Sequence, residues 1–197
     1  ATDGHRLVKY ICKQNNPETT MVLVPQKFLN IIALGTINTK TANLKIYEHC
    51  AIIETETTTV STRLISEKFP DYENVIPKEQ KNETTTQTSA LLGAVRKASL
   101  MSNKTTKGVV LNFNANKIIV SAEDHETGGS ATEEIEATHK GEDLTIGFNS
   151  LLLTEILKHQ KTDQIKILTT EPLSATLFKQ TNETETETTT LLMPIRI

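Results

Sequence analysis

Asp143-Leu144-Thr145-Ile146-Gly147-Phe148-Asn149-Ser150-Leu151-Leu152-Leu153-Thr154-Glu155-Ile156-Leu157-Lys158-His159 reads as a strand that runs directly into a helix. Asp143 to Phe148 suits a strand, Asn149 or Ser150 can cap a first helical turn, and the apolar residues from Leu151 to His159 recur at helical spacing. Strand patterns follow at Gln164 to Thr170, Ser174 to Phe178 and Thr186 to Met193. The same β-α-β-β-β order lies upstream. Thr84 to Thr88 is a weak strand and Ser89 a cap; Leu91, Leu92, Val95, Ala98 and Met101 line one helix face over residues 89 to 104. Val109 to Phe113 and Lys117 to Glu123 make a hairpin through Asn114-Ala115-Asn116, and Ala131 to His139 is an acidic third strand. A first copy opens with Met21-Val22-Leu23-Val24, places Pro25 at the first helical position, and buries Phe28, Leu29, Ile31, Ile32 and Leu34 before Gly35 ends the helix. Its strands are Asn43 to Tyr47, Cys50 to Glu54 and Thr57 to Ile65. The helices begin near residues 25, 89 and 149, so the repeat recurs about every sixty residues.

One helix cannot cover three or four strands, so two such units make a better two-layer domain, and the expected class is α+β. Units two and three pair from about residue 78 to the end, which leaves unit one without a mate. Ala1 is not a methionine, and the expectation is a fragment whose missing mate lies upstream.

The 197 residues carry 37% hydrophobic and 23% charged side chains, as ordinary globular domains do. No apolar run approaches the ~18 residues of a membrane span, and no leader pattern opens the chain, so a cytoplasmic protein without membrane contact is expected. Cys12 and Cys50 fit buried free thiols better than a disulfide framework or metal site. Threonine occurs 32 times and is concentrated at Thr55 to Thr62, Thr84 to Thr88 and Thr184 to Thr190; these stretches suit strands but offer little apolar surface to define a core face.

Catalytic motifs are missing. There is no Gly-x-Ser-x-Gly, Gly-x-x-x-x-Gly-Lys, Gly-x-Gly-x-x-Gly or His-Glu-x-x-His, and the histidines are scattered. Asp3 and His5 could serve acid–base or metal chemistry, but Asp3-Gly4 is first a turn signal. Gly128-Gly129-Ser130 could form an anion nest, yet beside Glu123, Asp124 and Glu126 it reads as a loop tip. The expectation is a non-enzyme with no cofactor and no metal. Charge is more informative, because the three helical stretches sum to +5 and the rest of the chain to −8, within a net −3. Lys27, Arg96, Lys97, Lys104, Lys158 and Lys161 would give one basic side, suited to phosphates, if all helices share a side of the sheets. Amphipathic helices carry lysines on their polar faces in any case, so the pattern alone decides nothing.

Five segments in order resemble one family: Thr2-Asp3-Gly4-His5-Arg6-Leu7, Val24-Pro25, Phe69-Pro70-Asp71-Tyr72 with Ile76-Pro77, Ile146-Gly147-Phe148-Asn149, and Leu192-Met193-Pro194-Ile195-Arg196-Ile197. Together they are similar to the bacterial sliding clamp, the β subunit of DNA polymerase III. The resemblance implies a DNA-clamp fold, with residues 1–71 the second half of a middle domain and 72–197 a complete last domain. It implies a homodimeric ring around duplex DNA that tethers the polymerase without reading sequence, with a clamp loader among its partners. Polymerase and repair proteins would dock a Gln-Leu-x-Leu-Phe-type peptide between the middle and last domains. By motif position that pocket would use Thr2, Gly4, His5, Arg6, Leu7, Pro70, Asn74, Val75, Leu191, Leu192, Met193, Pro194, Ile195 and Arg196. Asn74 stands where many members carry arginine. The helix lysines and arginine would face the DNA. Leu100, Met101 and an edge strand Ala131 to Thr138, with Glu133, Glu134 and Glu136, would meet the second subunit, and without its first domain the chain would not close a ring. The rival reading is a secreted, threonine-rich β-rich binding module, for which Asn82-Glu83-Thr84, Asn103-Lys104-Thr105 and Asn182-Glu183-Thr184 supply glycosylation triplets. A second rival is an enzyme using Asp3 and His5.

Overall fold

A computed structural model describes residues 1–12, 20–36, 41–181 and 186–197, with the side chain of Thr36 excepted. Its elements are β1 (Arg6–Cys12), α1 (Gln26–Ile31), β2 (Asn43–Ile46), β3 (Cys50–Glu54), β4 (Thr59–Arg63), β5 (Asn82–Gln87), α2 (Thr88–Ser99), β6 (Gly108–Asn114), β7 (Lys117–Asp124), β8 (Gly129–Lys140), β9 (Leu144–Asn149), α3 (Ser150–Lys158), β10 (Gln164–Thr169), β11 (Thr176–Gln180) and β12 (Thr186–Leu192). Contacts divide the chain into two units, residues 15–71 and residues 1–14 with 72–197. The first fourteen residues join the later unit because β1 pairs antiparallel with β12 along its whole length, from Arg6↔Leu192 to Cys12↔Thr186. No strand was expected at Arg6–Cys12; only Leu7 in it is buried, so its apolar pattern is faint.

In the later unit nine strands form one sheet in the order β1-β12-β11-β10-β5-β8-β7-β6-β9. Strand alternation turns every second residue to the same face. Val109, Leu111, Phe113, Ile118, Val120, Ile146, Phe148, Ile165, Ile167, Phe178 and Leu192 meet Leu91, Val95 and Ala98 of α2 and Leu153, Ile156 and Leu157 of α3 in one core. Both helices therefore cover one face of an antiparallel sheet, as the α+β reading required. The threonines join this core as well. Thr84 and Thr86 lie opposite Ile167 and Ile165, and Thr190 lies opposite Phe178, all buried.

Of the two caps expected for α3, Asn149 is the one used, its side chain accepting from the amides of Leu151 and Leu152. The ends of α2 depart from the sequence reading for local reasons. Helix α2 begins at Thr88, so Ser89 lies inside it and Gln87 provides no side-chain cap. It stops at Ser99 rather than residue 104. Ser99 Oγ donates to the Arg96 carbonyl and Ser102 Oγ to that of Ser99, while Asn103 Oδ1 accepts from the amides of Thr105 and Thr106 and starts a turn. Met101 consequently leaves the buried helical series and is exposed.

The unit of residues 15–71 contains α1 and the meander β2-β3-β4. Pro25 is extended and precedes α1, and the helix passes at Ile32 into a π-helical turn through Gly35, whose φ of 74° suits glycine. Met21-Val22-Leu23-Val24 is not a strand; it contributes a single bridge, Leu23↔Ile65. Cys12 is exposed and Cys50 half-buried, both free, where two buried thiols were expected.

Thr169 and Thr176, on the buried faces of β10 and β11, have side-chain oxygens without a partner. Valine has nearly the same shape without the hydroxyl, so Thr169→Val and Thr176→Val should each raise stability by about 1 kcal/mol in urea unfolding. A loss of stability in either would show that its hydroxyl is satisfied in solution.

Candidate partner-binding site

The other face of the β10-β11-β12-β1 sheet carries a second, smaller cluster. Leu168↔Leu177, Leu177↔Leu191 and Leu7↔Leu191 are directly opposed pairs. Leu7, Ala175, Leu177 and Leu191 are buried there, with Tyr72, Ile76 and Leu168 packed against them. Tyr72–Asn74 is one turn of 3-10 helix, closed as the Val75 amide donates to the Tyr72 carbonyl at 3.1 Å. Val75 remains 48% exposed and Met193 37%. Large side chains left open beside a buried cluster offer a surface for a partner's apolar residues.

Residues 1–8 form a tight hairpin leading into this cluster. Thr2 bridges Leu7, the Val8 amide donates to the Ala1 carbonyl, and Thr2 Oγ1 donates to the Arg6 carbonyl. Gly4 has φ of 87° with open space around it, so glycine is required by the turn rather than by the close approach of another group. The Met193 amide donates to the His5 carbonyl at 2.9 Å. Ile195 bridges Gly147, where a β-carbon would come within 2.4 Å of Ile197 Cγ2. Gly147 thus lets the C-terminal segment, with Pro194 and exposed Arg196, run close along β9.

Several expected pocket residues separate in space. Leu192 points into the main core with no exposed surface, so it supports the sheet from the opposite side. Arg6, paired with Leu192, shares that helix-side face and binds Asp3 at 2.9 Å and Glu155 of α3. Pro70 is exposed in the other unit, and Asn74 is exposed in the 3-10 turn. Sequence reasoning missed Ala175, Leu177, Leu168 and Tyr72. The alternation of Leu168, Leu177 and Leu191 against their neighbours was the available signal, but it emerges only once the strands are in register.

Asp3 is occupied structurally. Oδ1 accepts from the amides of His5 and Arg6, and Oδ2 holds the guanidinium, which accounts for the turn. Partial burial would raise its pKa, but the amide hydrogen bonds and the guanidinium outweigh that and hold it below the ordinary 3.8. Arg6 likewise holds Glu155 below 4.5.

Among the basic residues, Arg96, Lys97 and Lys158 are exposed on α2 and α3, and Lys161 is exposed just beyond α3. Lys27 is exposed on α1 in the other unit; Lys104 is exposed in the turn after α2. Lys97 pairs with Glu133 at 3.0 Å and Glu134 with Lys117 at 2.9 Å, so two acids expected to meet a second subunit are engaged within the chain. Strand β8 pairs with β7 through residues 129–136 and with β5 through 137–140. Among the described residues, its 129–136 stretch has no strand on the side opposite β7, and exposed Met101 lies close to Gly129 at its start.

Residues 1–71 match the family described as DNA polymerase III beta subunit, central domain, and residues 73–196 match the C-terminal domain of the same subunit. The chain belongs to the DNA polymerase III beta-subunit family. It is 29% identical over 201 residues to the beta sliding clamp of Haemophilus influenzae, and 28% identical over 202 residues to that of Pseudomonas putida. Each alignment covers 100% of this chain and 54% of the relative, so the chain spans about half their length. A sliding clamp from Pseudomonas aeruginosa bound to griselimycin superposes with a TM-score of 0.90 at 26% identity, over 100% of this chain and 53% of that one. The Thermotoga maritima beta subunit shares the fold, with a TM-score of 0.92 at 23% identity, covering 100% of this chain and 53% of its own. Among the described residues no helix is long and apolar enough to cross a membrane.

The ion pairs of Arg6 yield a pH prediction. Both carboxyls have lowered folded pKa values, so their contribution is present above the ordinary carboxylate range and lost as pH falls through the lowered values. In the carboxyl carbon NMR signals, Glu155 should titrate below 4.5 and move back toward it in Arg6→Ala. Titration at the ordinary value in the parent would refute the pairing.

Proposed function

We propose that the chain is part of a sliding clamp that encircles duplex DNA, tethers the replicative polymerase and other partners, and does no catalysis itself. The observation that carries the reading is the second apolar cluster. Leu7, Leu177 and Leu191 back a surface on which Val75 and Met193 stay open, away from the helix-covered core. A partner's leucine and phenylalanine would lodge there. Each buried anchor contributes ~2 to 3 kcal/mol and each peptide hydrogen bond about 1 kcal/mol, offset by several kcal/mol for ordering the peptide. The balance, about −6 to −8 kcal/mol, is roughly micromolar. Thr2, Gly4, His5, Leu7, Pro70, Asn74, Val75, Leu191, Met193, Pro194, Ile195 and Arg196 remain the proposed lining, with Arg6 and Leu192 supporting it from the helix side. Residues 1–71 are proposed as the second half of the middle domain and 72–197 as the last domain.

Duplex DNA would face α2 and α3, where Arg96, Lys97, Lys158 and Lys161 are exposed, with Lys27 contributing from its own unit and Lys104 from its turn. Such contacts need only be weak, since a closed ring holds DNA by topology. The clamp loader and a second subunit are further proposed partners, the latter at the open 129–136 edge of β8 with Leu100, Met101, Glu133, Glu134 and Glu136. A cytoplasmic location follows from this function.

The secreted alternative draws little from the threonine triplets. Asn82 is 5% exposed and its side chain accepts from the Glu142 amide, and both side-chain atoms of Asn103 are engaged. Asn182-Glu183-Thr184 lies outside the described residues.

In the intact protein, Met193→Ala, or removal of the last five residues, should weaken a Gln-Leu-x-Leu-Phe peptide by about tenfold in fluorescence anisotropy, the loss of one anchor contact. Parent-like binding by both variants would end the pocket assignment. Changing Arg96, Lys158 and Lys161 together to glutamate should weaken loading on DNA and flatten its salt dependence while peptide affinity stays constant. Unchanged loading at low salt would count against the DNA-facing assignment.

A further inference from the structure

Lys9 lies two residues after Leu7 on β1, so strand alternation puts both side chains on the face of the second apolar cluster. Its side chain is half-buried beside the exposed Glu73. The ammonium lies 5.4 Å from the centroid of the Tyr72 ring and 3.6 Å from Glu73 Oε1. Among the described residues, Lys9 is the cation paired with Glu73. Tyr72 and Glu73 are two of the three residues of the 3-10 turn, and Tyr72 also packs on the buried leucines. The turn leads directly into Val75, whose amide closes it on Tyr72. A three-residue turn is short, and Tyr72 packing on the leucines below and Lys9 reaching from β1 are two of the contacts that hold it.

We propose that Lys9 is a positioning residue of the partner-peptide pocket: its contacts with Tyr72 and Glu73 pin the turn that carries Val75 beside the strand that carries Leu7. The proposal rests on the pocket reading given above. A partner side chain that lodges against both Leu7 and Val75 needs the turn already in place, and the fraction of molecules in which it is displaced lowers the apparent affinity in proportion. The cation–aromatic contact and the ion pair are modest, so their removal lowers the fraction of molecules with the turn in place severalfold rather than abolishing binding.

The test uses the intact protein and a fluorescein-labelled peptide carrying Gln-Leu-Ser-Leu-Phe, with Met193→Ala measured alongside. Lys9→Met keeps the stem length without the charge, and should weaken the peptide by about two- to fivefold. Lys9→Arg retains the cation over the ring and should bind within about twofold of the parent. Amide exchange at residues 72–76 should quicken in Lys9→Met alone, with the thermal midpoint of all three proteins alike. Parent-like affinity in Lys9→Met, with Met193→Ala weakened, overturns the positioning role and leaves the pocket standing. Equal weakening in Lys9→Met and Lys9→Arg assigns the effect to stem packing and also overturns it. Parent-like affinity in Met193→Ala removes the pocket and this role together.

Discussion

A slip of one residue between β11 and β12 would exchange Leu191 and Leu192 between the two faces of the sheet. Leu192 would leave the core shared with α2 and α3, and Leu191 would leave the cluster of Leu7 and Leu177. Everything proposed for the site depends on that register. It is held by Phe178↔Thr190 on the helix side and Leu177↔Leu191 on the other, so a shifted pairing would place apolar groups in water on both faces at once. Beyond the strand, the Ile195 bridge to Gly147 and the Met193 amide on His5 hold the C-terminal segment at both of its ends. A larger residue at 147 would press on Ile197 and the Ile195 carbonyl, and so act on the site from β9.

The threonines extend the same constraint. Threonine fits a pleated sheet because its branched β-carbon packs well there, but one of its branches is polar. At Thr84 the hydroxyl meets His139 Nδ1 at 2.7 Å, and at Thr86 it donates to the Glu136 carbonyl, so those core positions lose no hydrogen bond. Thr169 and Thr176 have no such partner. Threonines thus fill the core positions of β5 and face isoleucines of β10, while apolar side chains alone fill those of β6, β7 and β9 in the helix-covered core. The two halves repeat the same backbone with different side-chain chemistry.

The repeat was legible because a helix preceded by a strand and followed by a hairpin leaves a change of period from 2 to 3.6 that survives weak threonine strands. The Leu91, Val95, Ala98 and Leu153, Ile156, Leu157 faces are buried as their spacing indicates. Helix ends were less legible, since α2 stops where serine hydroxyls satisfy its carbonyls, a competition that apolar spacing does not register. Strand β1 was not legible at all. Its partner, β12, lies about 180 residues away in sequence, and with Leu7 as its one buried residue it has no periodic signature. The site followed suit: Leu7, Leu191 and Met193 could be named from motifs, whereas Leu177, Tyr72 and Lys9 needed the register and the turn.

Under the proposed function one small unit would serve two unlike partners, and charge and apolar surface are separated accordingly. The exposed cations of α2 and α3 lie on the layer that covers the core, and the leucine cluster lies on the opposite face of the sheet beneath it. A phosphate backbone needs many weak contacts that exchange freely, which exposed lysines and arginines on long stems provide. A peptide needs few contacts that do not exchange, which buried leucines behind Val75 and Met193 provide. Arg6, on the helix side next to Leu7, is engaged by Glu155 and Asp3, which raise its pKa, with Glu155 the larger cause. Its charge is engaged within the chain, as that of Lys9 on the apolar face is by Glu73, so the proposed peptide site would rely on shape more than on field.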